Sequence, residues 1–295
     1  MTNLQIPRED IQLENEVGHG AFGTVYKAKW LSKNSIVACK CLNLTIGPKF
    51  KATTDMILKE IKHSLECAGP FILPIYGFFL EILSPLNSRI YLVMEYMLNG
   101  SLTDFLRRDQ HNLTYWKRLI IAHDIASGMD RIHRHGIIHR DIRPDNILID
   151  QSYRAKIGDM GIAQACYQNK DEPQGCMRYM PPEFYLNKYD QKLDVYTCGL
   201  TLNFLFTGVD HHYDPTSKTI QLTKISPLFR KLIDHCINEE ANYRPTTPQI
   251  KIILLKFCLY LESRIRTYPR YHYLPVKQKD LVTLAIYREK RFDSI

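Results

Sequence analysis

The sequence predicts an α+β fold, in which a strand-rich first third precedes a mainly helical remainder. Residues 11 to 97 contain short runs of β-branched and aromatic residues bounded by glycine and turn residues. From residue 114 onward, apolar residues recur at the three- and four-residue spacing of amphipathic helices. The length of 295 residues allows one two-lobed domain or two small domains, with ample core in either case.

Composition narrows the functional classes. Apolar content of 45% and charged content of 24% are typical of a soluble globular protein. The net charge of +8 is scattered along the chain, so no nucleic-acid role is expected. The polar N-terminus predicts no signal peptide, and the lack of a long apolar run predicts no membrane span. Eight cysteines without a C-x-x-C pair suggest reduced, mostly buried thiols and a cytoplasmic location.

The expected elements fall into three regions, 1–97, 98–264 and 265–295. In the first region, strands are expected over 11–30, 37–40 and both sides of a turn near 84–88, with a helix over 53–67. In the second, Thr114 is expected to cap a long helix that ends at Gly136. The other elements expected there are a helix at 102–106, strands at 147–149 and 155–157, and helices at 194–206, 227–238 and 248–262.

Three glycines between the first two strands indicate a phosphate-binding loop. Gly18, Gly20 and Gly23 would let the backbone approach a phosphate closely, where N–H groups can donate to it. Phe22 could cover the loop tip, and Val25 could press on a flat base. A strand rather than a helix follows, which disfavours a dinucleotide-binding fold.

A second cluster gathers oxygen-bearing side chains at one end of a small hairpin. Asp141 and Asn146 precede the strand at 147–149, and Asp159 follows the strand at 155–157. Carboxylate and amide oxygens suit Mg²⁺, and a further carboxylate can accept a proton from a hydroxyl. This set of groups is what phosphoryl transfer requires, because positioning and charge neutralisation drive that reaction.

The motifs that carry these residues resemble those of protein kinases. HRDIRPDN at 139–146 resembles the catalytic loop H-R-D-x-x-x-x-N, and GDMG at 158–161 resembles D-F-G with Met160 in place of Phe. GHGAFGTV, VACK, DVYTCG and RPT occur in the kinase order. The resemblance covers residues 11–262 and is closest to the tyrosine-kinase-like (TKL) group of serine/threonine kinases, which implies a two-lobed kinase fold.

This resemblance implies a binding site for ATP. Lys40 would pair with the α and β phosphates and be held by Glu60 in the helix at 53–67. Met94 corresponds to the residue at the back of the adenine pocket, and backbone groups of Glu95 and Met97 would bond adenine. The full expected ATP-binding set is Gly18, His19, Gly20, Ala21, Phe22, Gly23, Val25, Ala38, Lys40, Met94, Glu95, Met97 and Leu148.

The resemblance also assigns the catalytic roles. Asp141 would be the base, and His139 a packed structural residue. Arg143 would steady the γ-phosphate, a position that favours Ser/Thr acceptors and leaves dual specificity open. Asn146 and Asp159 would hold Mg²⁺ or Mn²⁺.

The segment from Gly161 to Glu183 departs from the kinase pattern because it contains no Ser or Thr. Activation by phosphorylating a Ser or Thr of this loop is therefore not expected. Arg140 would need another partner, either a carboxylate of Asp171 or Glu172 or a phosphorylated Tyr167. The alternative is that the two acids are solvated in a mobile loop.

Several further expectations concern the helical region. Asp194 would accept backbone N–H groups of the catalytic loop, and Arg244 would pair with Glu183. The polar stretch after Gly208 indicates that a partner-docking helix is shortened or absent, with His211 and His212 in a solvated loop. From Arg264 onward, eight basic residues face three acidic ones, and this extension could dock on the domain, bind a partner or be weakly ordered.

The function expected from these observations is transfer of the ATP γ-phosphate to Ser/Thr hydroxyls of protein substrates. The main alternative is a pseudokinase scaffold, suggested by Met160, Cys176 and Pro181. The retained Lys40, Asp141 and Asp159 argue against it. A small-molecule phosphotransferase is disfavoured by the combination of Glu183 and Arg244. The sequence does not indicate an oligomeric state.

Overall fold

The computed structural model describes residues 4–20, 23–45, 50–84, 87–109, 113–160, 177–186, 189–217, 219–222, 229–265 and 279. The chain divides into two compact units. The first comprises Met1–Leu98 and Gly158–Pro173, and the second comprises Asn99–Ile157 and Gln174–Ile295. The first is built on a β-sheet and the second mainly on helices, so the predicted α+β class is confirmed.

The sheet of the first unit has five strands in the order β1-β2-β3-β5-β4, and all neighbours are antiparallel. The helix α1 begins three residues before the predicted start at residue 53. The elements are β1 (Ile11–Gly20), β2 (Gly23–Trp30), β3 (Ser35–Thr45), α1 (Phe50–Glu66), β4 (Ile75–Ser84) and β5 (Asn87–Glu95).

One face of this sheet forms an apolar core. Strand alternation puts Val37, Cys39 and Cys41 of β3 on the same face, and all three belong to a buried cluster with Phe79 and Val93. Residues at the intervening positions of β3, which include Lys40, therefore face the other side. The face opposite this apolar core is therefore the one that carries Lys40.

A short N-terminal segment packs against β4. The backbone N–H of Ile6 donates to the carbonyl of Phe78 at 2.9 Å. A Cβ at Gly77 would lie 2.2 Å from the carbonyl oxygen of Leu4, so only glycine allows this approach. The segment thus extends the pairing of the edge strand.

The second unit contains five helices, four short strands and connecting turns in its described part. Its long helix α3 begins where predicted, because Thr114 Oγ1 accepts the N–H of Lys117 at 3.3 Å. The elements are α2 (Leu102–Asp109), α3 (Tyr115–Arg134), β6 (Ile147–Ile149), β7 (Ala155–Ile157), α4 (Lys192–Thr207), β8 (His212–Asp214), β9 (Thr219–Gln221), α5 (Arg230–Cys236) and α6 (Thr247–Ile265).

Helix α4 is buried along its length and ends at Gly208, as predicted. Gly208 has φ +68° and ψ +14°, and its N–H donates to the carbonyl of Phe204 at 2.8 Å. This left-handed conformation suits glycine. Because α4 is buried on every side, its polar residues serve neighbouring loops rather than solvent.

A buried carboxylate attaches the β6–β7 hairpin to α3. Asp124 is fully buried and accepts two 2.7 Å hydrogen bonds from the guanidinium of Arg154. It also accepts the N–H of Ala155 at 3.1 Å. The hairpin that follows the expected catalytic loop is therefore fixed to the longest helix of the unit.

The expected pair of Arg244 and Glu183 is present. Nη1 and Nη2 of Arg244 donate to the two carboxylate oxygens of Glu183, the second at 2.9 Å. The Arg244 side chain is fully buried, and its Nε donates to the carbonyl of Asn238 at 2.7 Å. This bidentate pair joins the 3₁₀ turn Pro182–Leu186 to the segment before α6.

The stretch after Gly208 differs from the prediction. It forms a hairpin, β8–β9, with register His212↔Gln221, Tyr213↔Ile220 and Asp214↔Thr219. The prediction that His211 lies in a solvated loop is wrong, because its side chain is 4% exposed. Polar composition suggested a loop here, but tertiary contacts bury the histidine.

Six cysteines lie among the residues that the structure describes, and all six are free thiols. Five are buried, as the sequence suggested, and Cys258 is partly buried. Cys166 and Cys176 lie outside the described residues. None of the helices in the described ranges combines the length and hydrophobicity that a bilayer crossing requires.

Candidate functional site

The glycine loop joins β1 and β2. Gly18 pairs with Val25, and Gly20 pairs with Gly23. Gly23 has φ +130°, and a Cβ there would lie 2.0 Å from the carbonyl oxygen of Cys41, so this position requires glycine. Ala21 and Phe22 at the tip lie outside the described residues.

Four of the expected ATP-contacting side chains of the first unit share one sheet face. Val25 lies opposite Lys40 across β2 and β3, and Ala38 lies opposite Met94 across β3 and β5. Since Ala38 and Lys40 are two positions apart on one strand, all four side chains point to the same side. Ala38, Lys40 and Met94 are each less than 9% exposed.

The last residue of β5 has its backbone N–H already engaged. The N–H of Glu95 donates to the carbonyl of Pro74 at 3.2 Å. If adenine binds here, Glu95 must offer its carbonyl rather than its N–H. Met97 is 6% exposed and lies two residues further along.

Lys40 and Asp159 form an ion pair within the first unit, in which Lys40 Nζ donates to Asp159 Oδ1. The Lys40 side chain is 8% exposed and that of Asp159 is 24% exposed. Two of the sequence-predicted residues, 119 positions apart, are thus in direct contact. The predicted pairing of Lys40 with Glu60 falls on a side chain outside the described ones; Glu60 itself lies within α1.

The backbone at Asp159 adopts an uncommon conformation, with φ +54°. A non-glycine residue in the left-handed region carries a conformational cost that surrounding contacts must offset. Met160, which follows it, is 5% exposed and packs in the interior. The ion pair and this buried neighbour hold the carboxylate in position.

The catalytic-loop candidates form one hydrogen-bonded set in the second unit. Asp141 is 3% exposed. Asn146 Nδ2 donates to its Oδ2 at 2.6 Å and to its carbonyl oxygen at 2.9 Å. Arg143 Nε donates to the same Oδ2 at 3.2 Å, and Arg143 Nη1 donates to Asp145 at 2.7 Å. Asp141, Arg143 and Asn146, predicted as one site, therefore lie together.

Asp194 at the start of α4 accepts hydrogen bonds from the backbone of this loop. It is fully buried and accepts the N–H groups of His139 at 2.8 Å and Arg140 at 2.7 Å, as predicted. Its Oδ2 also contacts His133 Nε2 at 2.8 Å. His133 was not among the residues predicted from the sequence; its place in the last turn of α3 is the local signal that could have indicated it.

His139 and Arg140 complete the loop. His139 is 2% exposed, and its Nδ1 accepts the N–H of Asp141 at 3.2 Å, which agrees with a structural role. Arg140 has φ +69°, and its guanidinium lies 5.4 Å from the ring centre of Tyr189. Its Nε is buried without a hydrogen-bond partner among the described residues.

Leu148, the remaining expected ATP contact, lies on β6 and pairs with Ser101. The neighbouring Ile149 donates its N–H to the carbonyl of Gly100 at 2.9 Å. These bonds join β6 to the segment that enters α2. Leu148 is partly exposed, whereas Ile147 and Ile149 are buried.

The donor chemistry fits magnesium. Asn146 directs its amide nitrogen to Asp141, so its amide oxygen is the atom that suits a metal. Asp159 offers a carboxylate. Within the described ranges, no group of three or more His, Cys, Asp or Glu side chains could hold a metal by itself. Oxygen atoms of these two kinds, one in each unit, are ligands that Mg²⁺ prefers in proteins.

Comparison with models of known protein families finds a match over most of the chain. The profile of the family described as "Protein kinase domain" matches residues 11–255. That range covers most of the chain and includes all of the candidate site residues. The chain belongs to the protein kinase family.

Individual relatives agree with this assignment. A kinase from Dictyostelium discoideum, named as a serine/threonine-protein kinase, is 31% identical over 84% of this chain. A serine/threonine-protein kinase/receptor from Acanthamoeba polyphaga mimivirus is 31% identical over 85%. The serine/threonine-protein kinase TAO1-B of Xenopus laevis is 30% identical over 85%. The match covers 19%, 15% and 26% of these three proteins, so the chain spans about a fifth of their length.

Proposed function

We propose that the chain is a protein serine/threonine kinase that transfers the γ-phosphate of ATP to a protein hydroxyl. The observation that carries the proposal is the environment of Asp141, a buried carboxylate held by Asn146 and Arg143. A fixed carboxylate of this kind can orient a hydroxyl and accept its proton. The serine/threonine kinase names of the relatives support the acceptor class.

The remaining residues take the roles that their chemistry allows. Lys40 orients the phosphates of ATP, and Glu60 is proposed to hold Lys40 when nucleotide displaces Asp159. Asn146 and Asp159 each supply an oxygen to Mg²⁺, or to Mn²⁺ in its place. Bound metal would neutralise phosphate charge, and Arg143 adds a second positive charge beside Asp141. The glycine loop and the face that carries Val25, Ala38 and Met94 receive the nucleotide.

A radiolabel assay tests the activity. Purified chain is incubated with γ-labelled ATP, Mg²⁺ and dephosphorylated casein, beside an Asp159→Ala variant of confirmed fold. We expect Mg²⁺-dependent labelling by the wild type and loss of it in the variant. Phosphoamino-acid analysis should then give phosphoserine and phosphothreonine; phosphotyrosine as well would establish dual specificity. Equal background labelling in both proteins would instead support the pseudokinase alternative.

We also propose that the activation segment works without Ser/Thr phosphorylation. The stretch from Gly161 to Glu183 has no Ser or Thr, and Arg140 has a buried Nε without a partner among the described residues. A carboxylate of Asp171 or Glu172 would supply a permanent anion for this guanidinium. Both acids and Tyr167 lie outside the described residues. The proposal is therefore supported by the sequence of this segment and by the buried Nε of Arg140, which has no hydrogen-bond partner among the described residues.

Paired neutralisation tests this second proposal. Asp171→Asn with Glu172→Gln should lower kcat, whereas Glu239→Gln with Glu240→Gln, an exposed pair elsewhere, should not. Full activity of the first double variant would contradict the proposal. Loss of activity on Tyr167→Phe with the acids intact would favour phosphotyrosine as the anion.

The subgroup is a separate proposal. The stretch IPREDIQLENEVGHGAFGTVYKAKW supports the TKL group, although TAO kinases are among the relatives. A phylogenetic tree of kinase domains that contains this chain would test the assignment. Placement beside the TAO kinases would overturn it.

A further inference from the structure

The segment 177–186 is held through several contacts by the β8–β9 hairpin and by His211, the residue before it. His211 Nε2 donates to the carbonyl of Arg178, and its ring stands edge-on to Tyr179 with centroids 4.7 Å apart. The hydroxyls of Tyr185 and Tyr213 lie 3.1 Å apart. All these groups belong to the second unit.

Apolar packing strengthens this attachment. Tyr179 forms a buried cluster with Tyr196 and Leu200 of α4, and Ile220 and Leu222 from the hairpin pack against it. Tyr179 is 6% exposed and His211 is 4% exposed. The hairpin therefore covers Tyr179 from one side, while α4 supports it from the other.

The same segment lies beside the catalytic loop. Tyr179 packs on Leu200 of α4, and the next residue of that helix, Thr201, donates its hydroxyl to the carbonyl of Ile142 in the catalytic loop at 2.9 Å. Because α4 joins this segment to the catalytic loop, we expect a protein chain that brings a hydroxyl to Asp141 to pass near the segment.

We propose that His211 is a positioning residue for the protein acceptor, because it fixes the backbone of Arg178 and the ring of Tyr179 beside the catalytic loop. The inference rests on the proposed kinase function and deepens it. His211 touches neither the acceptor hydroxyl nor ATP. It acts through the 177–180 backbone, so its loss should weaken acceptor binding more than nucleotide binding.

Four variants separate this role from general stability. His211→Phe keeps a ring and removes the hydrogen bond, while His211→Gln keeps a donor near the position of Nε2. His212→Phe is the matched control, since His212 is exposed on the next position. Tyr213→Phe removes only the contact with Tyr185 and should fold even where His211→Phe does not.

Steady-state kinetics with dephosphorylated casein give the main readout. We expect His211→Phe to raise the KM for casein about fivefold to tenfold, the scale of one lost hydrogen bond, with the KM for ATP unchanged. His211→Gln should restore it, His212→Phe should match the wild type, and Tyr213→Phe should show a smaller rise. An unchanged casein KM in both His211→Phe and Tyr213→Phe, or equal rises in both KM values, would overturn the proposal.

Hydrogen–deuterium exchange distinguishes failure of this inference from failure of the proposed function. Amides of 177–186 should exchange slowly in the wild type and faster in His211→Phe or Tyr213→Phe, whether or not the chain transfers phosphate. If this difference is found but the wild type transfers no phosphate, the proposed function is overturned and His211 is shown only to fix the 177–186 segment. Equal exchange in wild type and variants would overturn the inference itself.

Discussion

At the scale of single residues, two functional positions adopt backbone conformations that their side chains do not favour. Arg140 and Asp159 have φ of +69° and +54° although neither is glycine. Conformations of this kind cost about 1–3 kcal/mol each and persist where contacts over-determine them. The N–H of Arg140 is held by Asp194, and the carboxylate of Asp159 is held by Lys40. Both conformations thus lie next to groups proposed for catalysis.

Burial also sets the chemistry of single thiols. Desolvation raises the pKa of Cys39 to about 12 and that of Cys198 to about 12. At pH 8, roughly one Cys39 in ten thousand would be a thiolate, the reactive form. We therefore expect iodoacetamide to label Cys39 about a thousandfold more slowly in the folded protein than in urea, by mass spectrometry. Comparable rates in both states would contradict this burial.

The same shift gives stability a pH dependence. The folded-state pKa of Cys39 lies above its ordinary value of 9.0, so the protonated thiol is favoured by folding. This contribution is complete below about pH 9 and is lost as the pH rises towards 12. Urea unfolding at several pH values should show stability falling over that range, and Cys39→Ala should reduce the slope. If Cys39→Ala leaves the fall of stability with pH unchanged, the Cys39 thiol is not the group that causes it.

At the scale of elements, long-range pairs fix turns to helices. One such pair joins Arg244, before α6, to Glu183 in the 3₁₀ turn Pro182–Leu186. Breaking one partner of a buried pair leaves an uncompensated charge or unmet acceptors. The pair therefore ties the position of 182–186 to the helical part of the unit.

Arg244→Met should lower the free energy of unfolding by about 3–5 kcal/mol. The control is Arg230→Met, which breaks an exposed pair with Asp234 within α5 and should cost less than about 1 kcal/mol. Urea denaturation followed by circular dichroism measures both. Similar losses in the two variants would show that burial is not what makes the Arg244 pair important.

Close packing of α4 and α5 depends on a glycine. A Cβ at Gly199 would lie 2.7 Å from the Cβ of Cys236 and 2.8 Å from Cγ2 of Ile237. Gly199→Ala should therefore destabilise the protein by about 1–3 kcal/mol through overpacking, despite the better helix propensity of alanine. Thermal unfolding would measure the loss. A stabilised variant would mean that the two helices can separate without cost.

At the scale of the whole molecule, sequence motifs predicted the local architecture of the site well. Asp141 and Asn146 are five residues apart, so their contact follows from one loop, and the caps at Thr114 and Gly208 follow from local backbone needs. The contact of His211 with Arg178 joins positions 33 apart and has no periodic signal. The β8–β9 hairpin was missed because its strands are three residues long and rich in polar residues.

The ion pair of Lys40 and Asp159 marks a second limit. Their separation of 119 residues leaves no local pattern that joins them, and kinase motifs suggested Glu60 as the partner of Lys40 instead. Such a charge can exchange partners when phosphate or metal enters, because each partner competes for one ammonium group. Motifs could thus name the candidate residues, whereas the contacts between those residues depend on tertiary structure.

The proposed role of Asp141 in catalysis is tested by the kcat of phosphate transfer to casein. This kcat is measured for Asp141→Asn beside Asp234→Asn. The first variant replaces the buried carboxylate with an amide of the same shape, and the second makes the same change on the surface of α5. We predict that Asp141→Asn folds normally and loses about 10²- to 10⁴-fold in kcat, while Asp234→Asn retains the wild-type value. Transfer by Asp141→Asn at the rate of Asp234→Asn would show that this carboxylate does not drive catalysis.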